Sequence, residues 1–350
     1  MINKILFISF IALSSLGLNA QVGEVGKVKN KSKVDTNYIV TLPEYITTRF
    51  YLSRKYTNMV LDDTDNGLIL NYEPNTTLNF GIGATVKGFT LNLAYGFRFL
   101  NKDVGKGKTR YLDLQSHTYT RRYVIDFFGQ FYNGQYLDNT QELKPDSITP
   151  YYLRPDIRLR VFGLSFQEVL NEKKFSYAAP LIQNEYQKKS AGSFLIGGEL
   201  TFLYANADSN FIPHFINDSL FQEVQGINHL STFQIGPSAG YAYTLVIKKH
   251  FFIMFSFNLS LVAATTSYEL ESGENFQEWR LNPNISARAA MGYNSRTWYL
   301  GAQWVQNTTN TQSVNETVAT GFGIGNVRLN YVKRFLMGPK LKKQVDRIPF

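Results

Sequence analysis

The feature that most constrains the fold of this chain is a period-two alternation of large apolar residues with small or polar ones. From Leu78 to Val86, and again from Phe89 to Arg98, every second residue is apolar, and only Lys87 and Gly88 separate the two runs. Two alternating runs joined by a two-residue, glycine-containing turn predict a β-hairpin. Each run has the roughly 9–11 residues that a tilted strand needs to cross a bilayer.

The same alternation recurs along most of the chain, and no segment shows a helical period. We therefore predict an all-β fold, a transmembrane up-and-down antiparallel β-barrel of about twelve strands, within a range of ten to fourteen. Downstream of the N-terminus, no stretch approaches the 18 uninterrupted apolar residues of a helical span. The predicted strands are 45–58, 77–87, 89–99, 116–132, 157–170, 174–185, 193–206, 231–247, 251–267, 280–293, 297–307 and 318–335.

The polar face of these strands separates a membrane barrel from a soluble β-sandwich or propeller. The outer face of a soluble sandwich is usually rich in Lys and Glu. Here the second face carries Gly, Ser, Asn, Gln, Thr and Arg, which suit a confined and hydrated interior. Aromatic residues such as Tyr95, Tyr241 and Trp298 stand near strand ends, as in the girdles of membrane barrels. We expect the apolar face to meet lipid, and the sandwich or propeller is the alternative.

The N-terminus has the three-part order of a secretory signal peptide. Lys4 precedes an apolar stretch from Ile5 to Leu18, and Ala20 is the small residue at the expected cut. The apolar stretch is shorter than the roughly 20 residues of a permanent helical anchor. We expect residues 1–20 to be removed on export to the outer membrane of a Gram-negative bacterium.

The rest of the chain divides into a barrel with two basic ends. We expect a periplasmic N-terminal segment at 21–44, the barrel at 45–336 and a periplasmic C-terminal tail at 337–350. Outer-membrane barrels keep short turns in the periplasm and longer loops outside. The expected short turns are 87–88, 248–250 and 294–296, and the expected long loops are 59–76, 207–230, 268–279 and 308–317.

Composition narrows the chemistry and the partners. The chain has no Cys, which excludes thiolate zinc sites, Cys nucleophiles and a lipidated Cys. Its formal charge of +9 favours anionic partners. We expect outer-membrane lipids, including anionic head groups, and the barrel-assembly machinery as partners. We expect no cofactor, no metal and no nucleic acid, and the sequence defines no oligomeric state.

Four segments resemble an uncharacterised family of Bacteroidota outer-membrane β-barrels that is classed as a domain of unknown function. They are Lys174–Ala179, Gln183–Ser193, Arg122–Phe127 and Asn326–Tyr331. The resemblance covers most of the mature chain. It implies the fold and the location, and it transfers no functional residue.

Polar residues on the inward face are where a function would reside. Arg outnumbers the acids among them, and rings of Arg select anions, so one expectation is a pore or pocket for anionic solutes. The other is that ion pairs among these residues fill a narrow interior. The predicted function is passage or binding of a small solute, or scaffolding at the cell surface. The lumen-facing charged candidates are Arg98, Arg122, Asp126, Glu199, Arg280, Arg288, Arg328 and Arg334.

An outer-membrane lipid hydrolase, a phospholipase or deacylase, is the alternative function. It would need Ser, His and an acid in line. His117 follows Ser116 directly, and adjacent strand residues point to opposite faces. His229 and Ser231 share a face, a spacing that also arises by chance. We assign no catalytic residue.

A change of parity marks the last predicted strand. Ile324 and Val327 are both apolar but stand on opposite phases of the alternation. The sequence therefore predicts a β-bulge near Gly325 and Asn326.

Overall fold

The computed structural model describes residues 34–86, 89–101, 105–144, 146, 149–312, 317–339 and 342. The predicted signal peptide and residues 21–33 lie outside the described residues, as does most of the predicted tail. Within the described part, no helix is long and apolar enough to cross a membrane.

The described residues form fifteen strands and two four-residue helices. The strands are β1 (Ile39–Thr41), β2 (Tyr45–Asp63), β3 (Leu68–Glu73), β4 (Asn79–Val86), β5 (Phe89–Tyr95), β6 (Arg110–Tyr119), β7 (Tyr123–Leu137), β8 (Tyr152–Val169), β9 (Glu185–Gln187), β10 (Ala191–Asn206), β11 (Ile227–Ile247), β12 (Phe251–Leu270), β13 (Asn275–Asn294), β14 (Trp298–Gln312) and β15 (Val318–Leu336). The helices are α1 (Thr140–Leu143) and α2 (Ala178–Leu181).

Ten strands close into an antiparallel barrel. From β10 to β15 each strand pairs with the next, and β15 returns to β2 along its whole length, from Val318 opposite Asp63 to Leu336 opposite Tyr45. On the other side, β10, β8, β7 and β3 complete the circuit to β2. The predicted all-β antiparallel barrel is confirmed, and ten strands is the lower limit of the predicted range.

The other strands fill or flank the wall beside β2 and β7. β3 pairs with residues 59–63 of β2, and β4 pairs with residues 47–53 of the same edge, so β3 and β4 follow one line down the wall. β5 pairs with β4, and β6 pairs with β7. The short strands β1 and β9 form a separate two-stranded sheet. Below the junction of β3 with β7, the wall therefore contains two additional strands, β5 and β6.

The two ends of the barrel differ, and we call them the near end and the far end. The near end holds the start of β2, the end of β15 and the turns at 248–250 and 294–296; the far end holds the connection from β2 to β3. In the near half, outward residues of β12 such as Phe251, Ile253 and Phe255 are about half exposed. Their inward neighbours Ser256 and Asn258 are buried. The alternation thus places apolar side chains outside and polar ones inside, as predicted.

In the far half the pattern is inverted. Inward residues there are apolar and buried, as with Met59, Leu61, Phe322 and Ile324. The strands β14 and β15 pair in continuous register through Gly325, so the predicted β-bulge is wrong. The parity change has another cause. In the near half the apolar residues of β15 lie on the outer face, whereas in the far half they lie on the inner face and pack in a core, and the backbone is regular throughout.

Two further predictions from alternation are wrong. Residues 174–185 form no long strand; they lie in the connection from β8 to β10, with α2 and β9 at its centre. Within the described residues, three of the four predicted long loops are mostly strand, because β2, β12, β13 and β14 continue into the far half and β3 lies in the first of these ranges. The fourth is confirmed as a long connection, at residues 207–226. Polar outward residues in these segments interrupt the apolar alternation from which a membrane strand is predicted.

Candidate functional site

The connection at residues 170–190, which we call the inner loop, fills the near half of the barrel. Phe175, Tyr177, Ala179 and Gln183 are all at most 2% exposed. The backbone between these buried side chains needs polar partners. The barrel wall provides these partners.

Side chains from the neighbouring wall strands β14 and β15 donate hydrogen bonds to carbonyl oxygens of the inner loop. Arg334 Nη2 is 2.8 Å from the Gln183 oxygen, and Gln303 Nε2 is 2.8 Å from the Pro180 oxygen. Tyr299 Oη also donates to Pro180, at 3.0 Å. These bonds satisfy backbone groups that would otherwise be buried without partners. The inner loop is therefore fixed to the wall by side chains.

Asp126 on β7 is the centre of a charged cluster above the inner loop. Its carboxylate is fully buried and accepts hydrogen bonds from Arg288 Nη2 of β13 and from Tyr119 Oη at 3.0 Å. His117 Nδ1 lies 2.6 Å from Asp126 Oδ1, the carboxylate oxygen that also accepts from Tyr119. Arg288 Nη1 also donates to Tyr177 of the inner loop at 2.6 Å. The cluster therefore connects β7 and β13, on opposite sides of the barrel, with the inner loop.

Two more polar clusters occupy the interior. Asp113 of β6 accepts from Lys55 Nζ at 3.0 Å and from Tyr132 Oη at 2.7 Å. Across the barrel, Glu199 accepts from Asn284 at 2.7 Å and from Ser260 at 2.8 Å. Each carboxylate therefore accepts at least two hydrogen bonds from interior side chains, which lowers the cost of placing it away from water.

The far-end core closes the other half of the barrel. Residues of the connection at 207–226, including Phe211, Ile212, Phe221 and Val224, are at most 5% exposed and pack against apolar side chains of the wall. The Phe221 N–H donates to Asp63 Oδ2 at 2.8 Å. The barrel interior is therefore obstructed at both ends by its own connections.

A cavity of about 480 Å³ remains between the inner loop and the wall on the side of β5 and β6. Its cationic lining comes from Arg49, Lys55 and Arg328, and His117 is also at its surface. Among the described residues, no Asp or Glu lines it. The space is large enough for a small solute, and its charged lining is basic.

Arg328 is the most unusual residue of this lining. Its guanidinium stands over the Tyr51 ring at 4.6 Å, and its Nε is buried without a hydrogen-bond partner. Within the described chain, the Arg328 side chain makes neither a hydrogen bond nor an ion pair. Arg49, which is 3% exposed, bonds to Thr85 Oγ1 at 2.5 Å and has no carboxylate partner in the described chain either. Two guanidinium groups thus share this region without a compensating anion.

The predicted site residues have different places. Asp126 and Arg288 form an ion pair, Glu199 accepts hydrogen bonds from Asn284 and Ser260, and Arg328 and Arg334 lie in the near half around the inner loop. Arg280 pairs with Glu278 at 3.2 Å near the far end. Two predicted orientations need correction: Arg98 is exposed in a short 3₁₀ turn after β5, and Arg122 is exposed in the turn before β7, paired with Glu168 at 2.7 Å. Neither residue lies in a strand, so alternation does not apply to them.

Several interior residues were missing from the sequence prediction. Arg49 and Lys55 lie on β2, where alternation is irregular because the inward row mixes Arg, Tyr, Ser and Lys. The phase of β2 would have identified them, since both share the parity of the buried Tyr51. His117 is adjacent to Ser116 in sequence, but its partner Asp126 is on the next strand, directly opposite it in the β6–β7 register.

The other histidines have no carboxylate partner in the described residues. His229 packs edge-on against Tyr204, with ring centroids 4.5 Å apart. His214 lies 3.4 Å from Tyr152 Oη, and His250 lies 3.1 Å from the Asn294 carbonyl oxygen. His117 is thus the histidine with the arrangement of a general base.

Comparison with known proteins gives a family and distant structural likenesses. Residues 33–335 match the family described as a domain of unknown function, DUF4421. No curated protein matches the chain. The outer-membrane protease OmpT of Escherichia coli aligns at 11% identity and a TM-score of 0.38, covering 85% of this chain and 98% of that one. The toluene transporter TodX of P. putida aligns at 8% and 0.25, covering 85% and 91%. At these scores the likenesses carry no functional argument.

Proposed function

This chain belongs to the DUF4421 family, whose description assigns no activity, and from the site itself we propose that it is an outer-membrane barrel that binds a small anionic solute in its internal cavity. The observation that carries the proposal is Arg328, a guanidinium at the cavity surface with no anionic partner in the described chain. Burying a cation without compensation is costly. A bound anion would remove that cost.

The membrane location is supported by the outer surface of the near half. On β12 the apolar outward row runs from Phe251 to Leu261, eleven residues, which is the length a tilted strand needs to cross a bilayer. An exposed apolar belt of this kind is unfavourable in water. The N-terminal signal-peptide pattern agrees with export. The near end then faces the periplasm.

Binding is favoured over free passage by the two obstructions. The inner loop occupies the near half and the far-end core occupies the other, so the cavity is a compartment and not part of an open channel. A solute held by two arginines would be retained. This is why we propose binding and not conduction.

Replacing Arg328 tests the proposal. Arg328→Gln should weaken the binding of inorganic phosphate, measured by isothermal titration of the purified protein in dodecyl maltoside, by about 10- to 100-fold, because a charge-assisted hydrogen bond contributes about 1.5–3 kcal/mol. Arg122→Gln is the matched control, since Arg122 is exposed and lies outside the cavity. Heat-modifiable gel migration verifies that both variants fold. Unchanged phosphate affinity in folded Arg328→Gln would contradict the proposal.

A second candidate function is hydrolysis, and the His117–Asp126 pair favours it. Asp126 holds one ring nitrogen of His117 at 2.6 Å, and the ring is at the cavity surface. This is the base and the orienting acid of a hydrolytic site. The described residues place no Ser or Thr hydroxyl in a hydrogen bond with His117, so the attacking group would be water.

Release of fatty acid from phospholipid in mixed micelles separates the two functions. Under the binding function, the wild-type protein releases none. Hydrolysis that disappears in His117→Gln and persists in His229→Gln would establish the second function in place of the first. His229 is the matched control because it is a histidine on the same barrel with no carboxylate partner in the described residues.

A further inference from the structure

The barrel wall contains a gap between β5 and β6. β5 is paired with β4, and β6 is paired with β7, but the described residues of β5 and β6 do not pair with each other. Above them, β3 joins β7 through Tyr72 opposite Leu137 and Glu73 opposite Tyr136. The gap is thus bounded on each side by a strand edge and at the top by this junction.

The cationic cavity opens at this gap. Its lining includes Asn92 of β5, the inward residues Gln115 and His117 of β6, and the outward residues Ser116 and Thr118 of the same strand. Residues from both faces of β6 thus line the cavity along the edge of β6 that faces away from β7. Asn92 is exposed although it stands on the opposite phase from the outward Leu93. The interior therefore communicates with the outside through the wall.

The outer rim of the gap is apolar. Leu93 and Tyr95 of β5 are 60% and 68% exposed, and Leu112 and Leu114 of β6 are 55% and 45% exposed. These side chains continue the apolar belt of the near half. An opening with an apolar rim and a cationic interior matches a molecule with a hydrocarbon tail and an anionic head.

Unpaired strand edges within hydrocarbon are themselves unfavourable. Each unsatisfied backbone group costs several kcal/mol in a bilayer, which is why membrane barrels close. A polar occupant of the gap, such as a hydrated head group, would supply hydrogen-bond partners to the edges of β5 and β6. The gap and the cavity therefore require the same kind of occupant.

We propose that the gap between β5 and β6 is a lateral entrance through which the head group of an anionic amphiphile enters the cavity from the membrane, with its tail left between the apolar side chains of the rim. This rests on the anion-binding function proposed above, and it adds the substrate class and the route. Arg328 and Arg49 are the groups that receive the head group.

The first test compares two probes. Dodecyl phosphate and inorganic phosphate are titrated into the protein in dodecyl maltoside, with dodecyltrimethylammonium as the cationic control. Dodecyl phosphate should bind at least about tenfold more tightly than inorganic phosphate, because part of its chain is buried at the rim. Arg328→Gln should weaken both phosphates, and the cation should not bind.

The second test closes the gap. Because the chain has no Cys, Asn92→Cys with Ser116→Cys gives a single reactive pair that a bismaleimide can bridge across the gap. Relative to the same double variant before bridging, the bridge should weaken dodecyl phosphate binding at least about tenfold and change inorganic phosphate binding by no more than about twofold. Met291→Cys with Ala302→Cys is the control pair, since these residues stand opposite each other in the paired β13–β14 wall.

The outcomes separate the two proposals. Inorganic phosphate that binds through Arg328, together with dodecyl phosphate that binds no more tightly or is unaffected by bridging, would overturn the lateral entrance and leave the anion site intact. Failure of both phosphates would overturn the proposed function itself. An oligomer in light scattering that the bridge dissociates, without dodecyl phosphate binding, would assign the gap to a strand of a second chain and also overturn the entrance.

Discussion

At Asp126 two opposite walls of the barrel meet through one carboxylate. Asp126→Asn would leave Arg288 buried, at 2% exposed, without its negative partner. Breaking a buried ion pair by removing one member typically costs about 3–5 kcal/mol. We expect a loss of this size in the free energy of unfolding, measured by urea titration in detergent micelles.

Glu168→Gln is the control for this prediction, because it breaks the exposed pair with Arg122. Exposed pairs contribute roughly 0–1 kcal/mol, so this variant should unfold close to the wild-type midpoint. Equal midpoints for Asp126→Asn and Glu168→Gln would show that the Asp126 cluster does not stabilise the fold as argued.

The sequence predicts that both side chains face inward, but it does not predict that they contact each other. Alternation places Asp126 and Arg288 on inward faces, yet they are 162 positions apart and on strands that are not neighbours. Their contact depends on the height of each strand and on the curvature of the wall. His117 shows the same limit: its pairing with Asp126 follows from the β6–β7 register, which alternation alone does not give.

At the scale of elements, strands with one apolar face were predictable and fully buried segments were not. β12 was predicted because its large and small residues alternate between lipid-type and interior-type surroundings. The inner loop also has alternating letters around Phe175, Ser176 and Tyr177, but all three are buried. When both faces pack inside a barrel, period two carries no information about strand structure.

The alternating glycines of β15 show how close packing acts on the outer wall. A Cβ added at Gly325 would lie 2.0 Å from the Tyr56 ring. Tyr56 extends across this position, so that its hydroxyl donates to Gln306 of β14 at 2.6 Å. The glycine therefore provides space for an aromatic side chain that links β2, β15 and β14. The contact explains the glycine without the β-bulge that the sequence predicts there.

At the scale of the whole molecule, obstruction at both ends predicts a barrel without ion conductance. In planar bilayers the wild-type protein should give no discrete channel openings, because an ion must pass both the inner loop and the far-end core. Deleting residues 172–187 should not open a channel either, since the far-end core stays in place. An outer-membrane porin reconstituted in parallel is the positive control. Stable openings of the wild-type protein would contradict the obstructed interior.

Because the apolar face changes from outward to inward between the two halves, the same substitution on one strand has different effects in the two halves. On β15, a serine in place of Ile324 would leave a polar group and a void in a dry centre, whereas in place of Val327 it would alter a side chain that is half exposed on the outside. The same replacement thus acts through lost core packing at Ile324 and through lost affinity for lipid at Val327, three positions further along. A survey of tolerated substitutions would therefore locate the water–lipid boundary on this protein. The boundary is the level at which polar substitutions change from harmful on the outward face to harmful on the inward face.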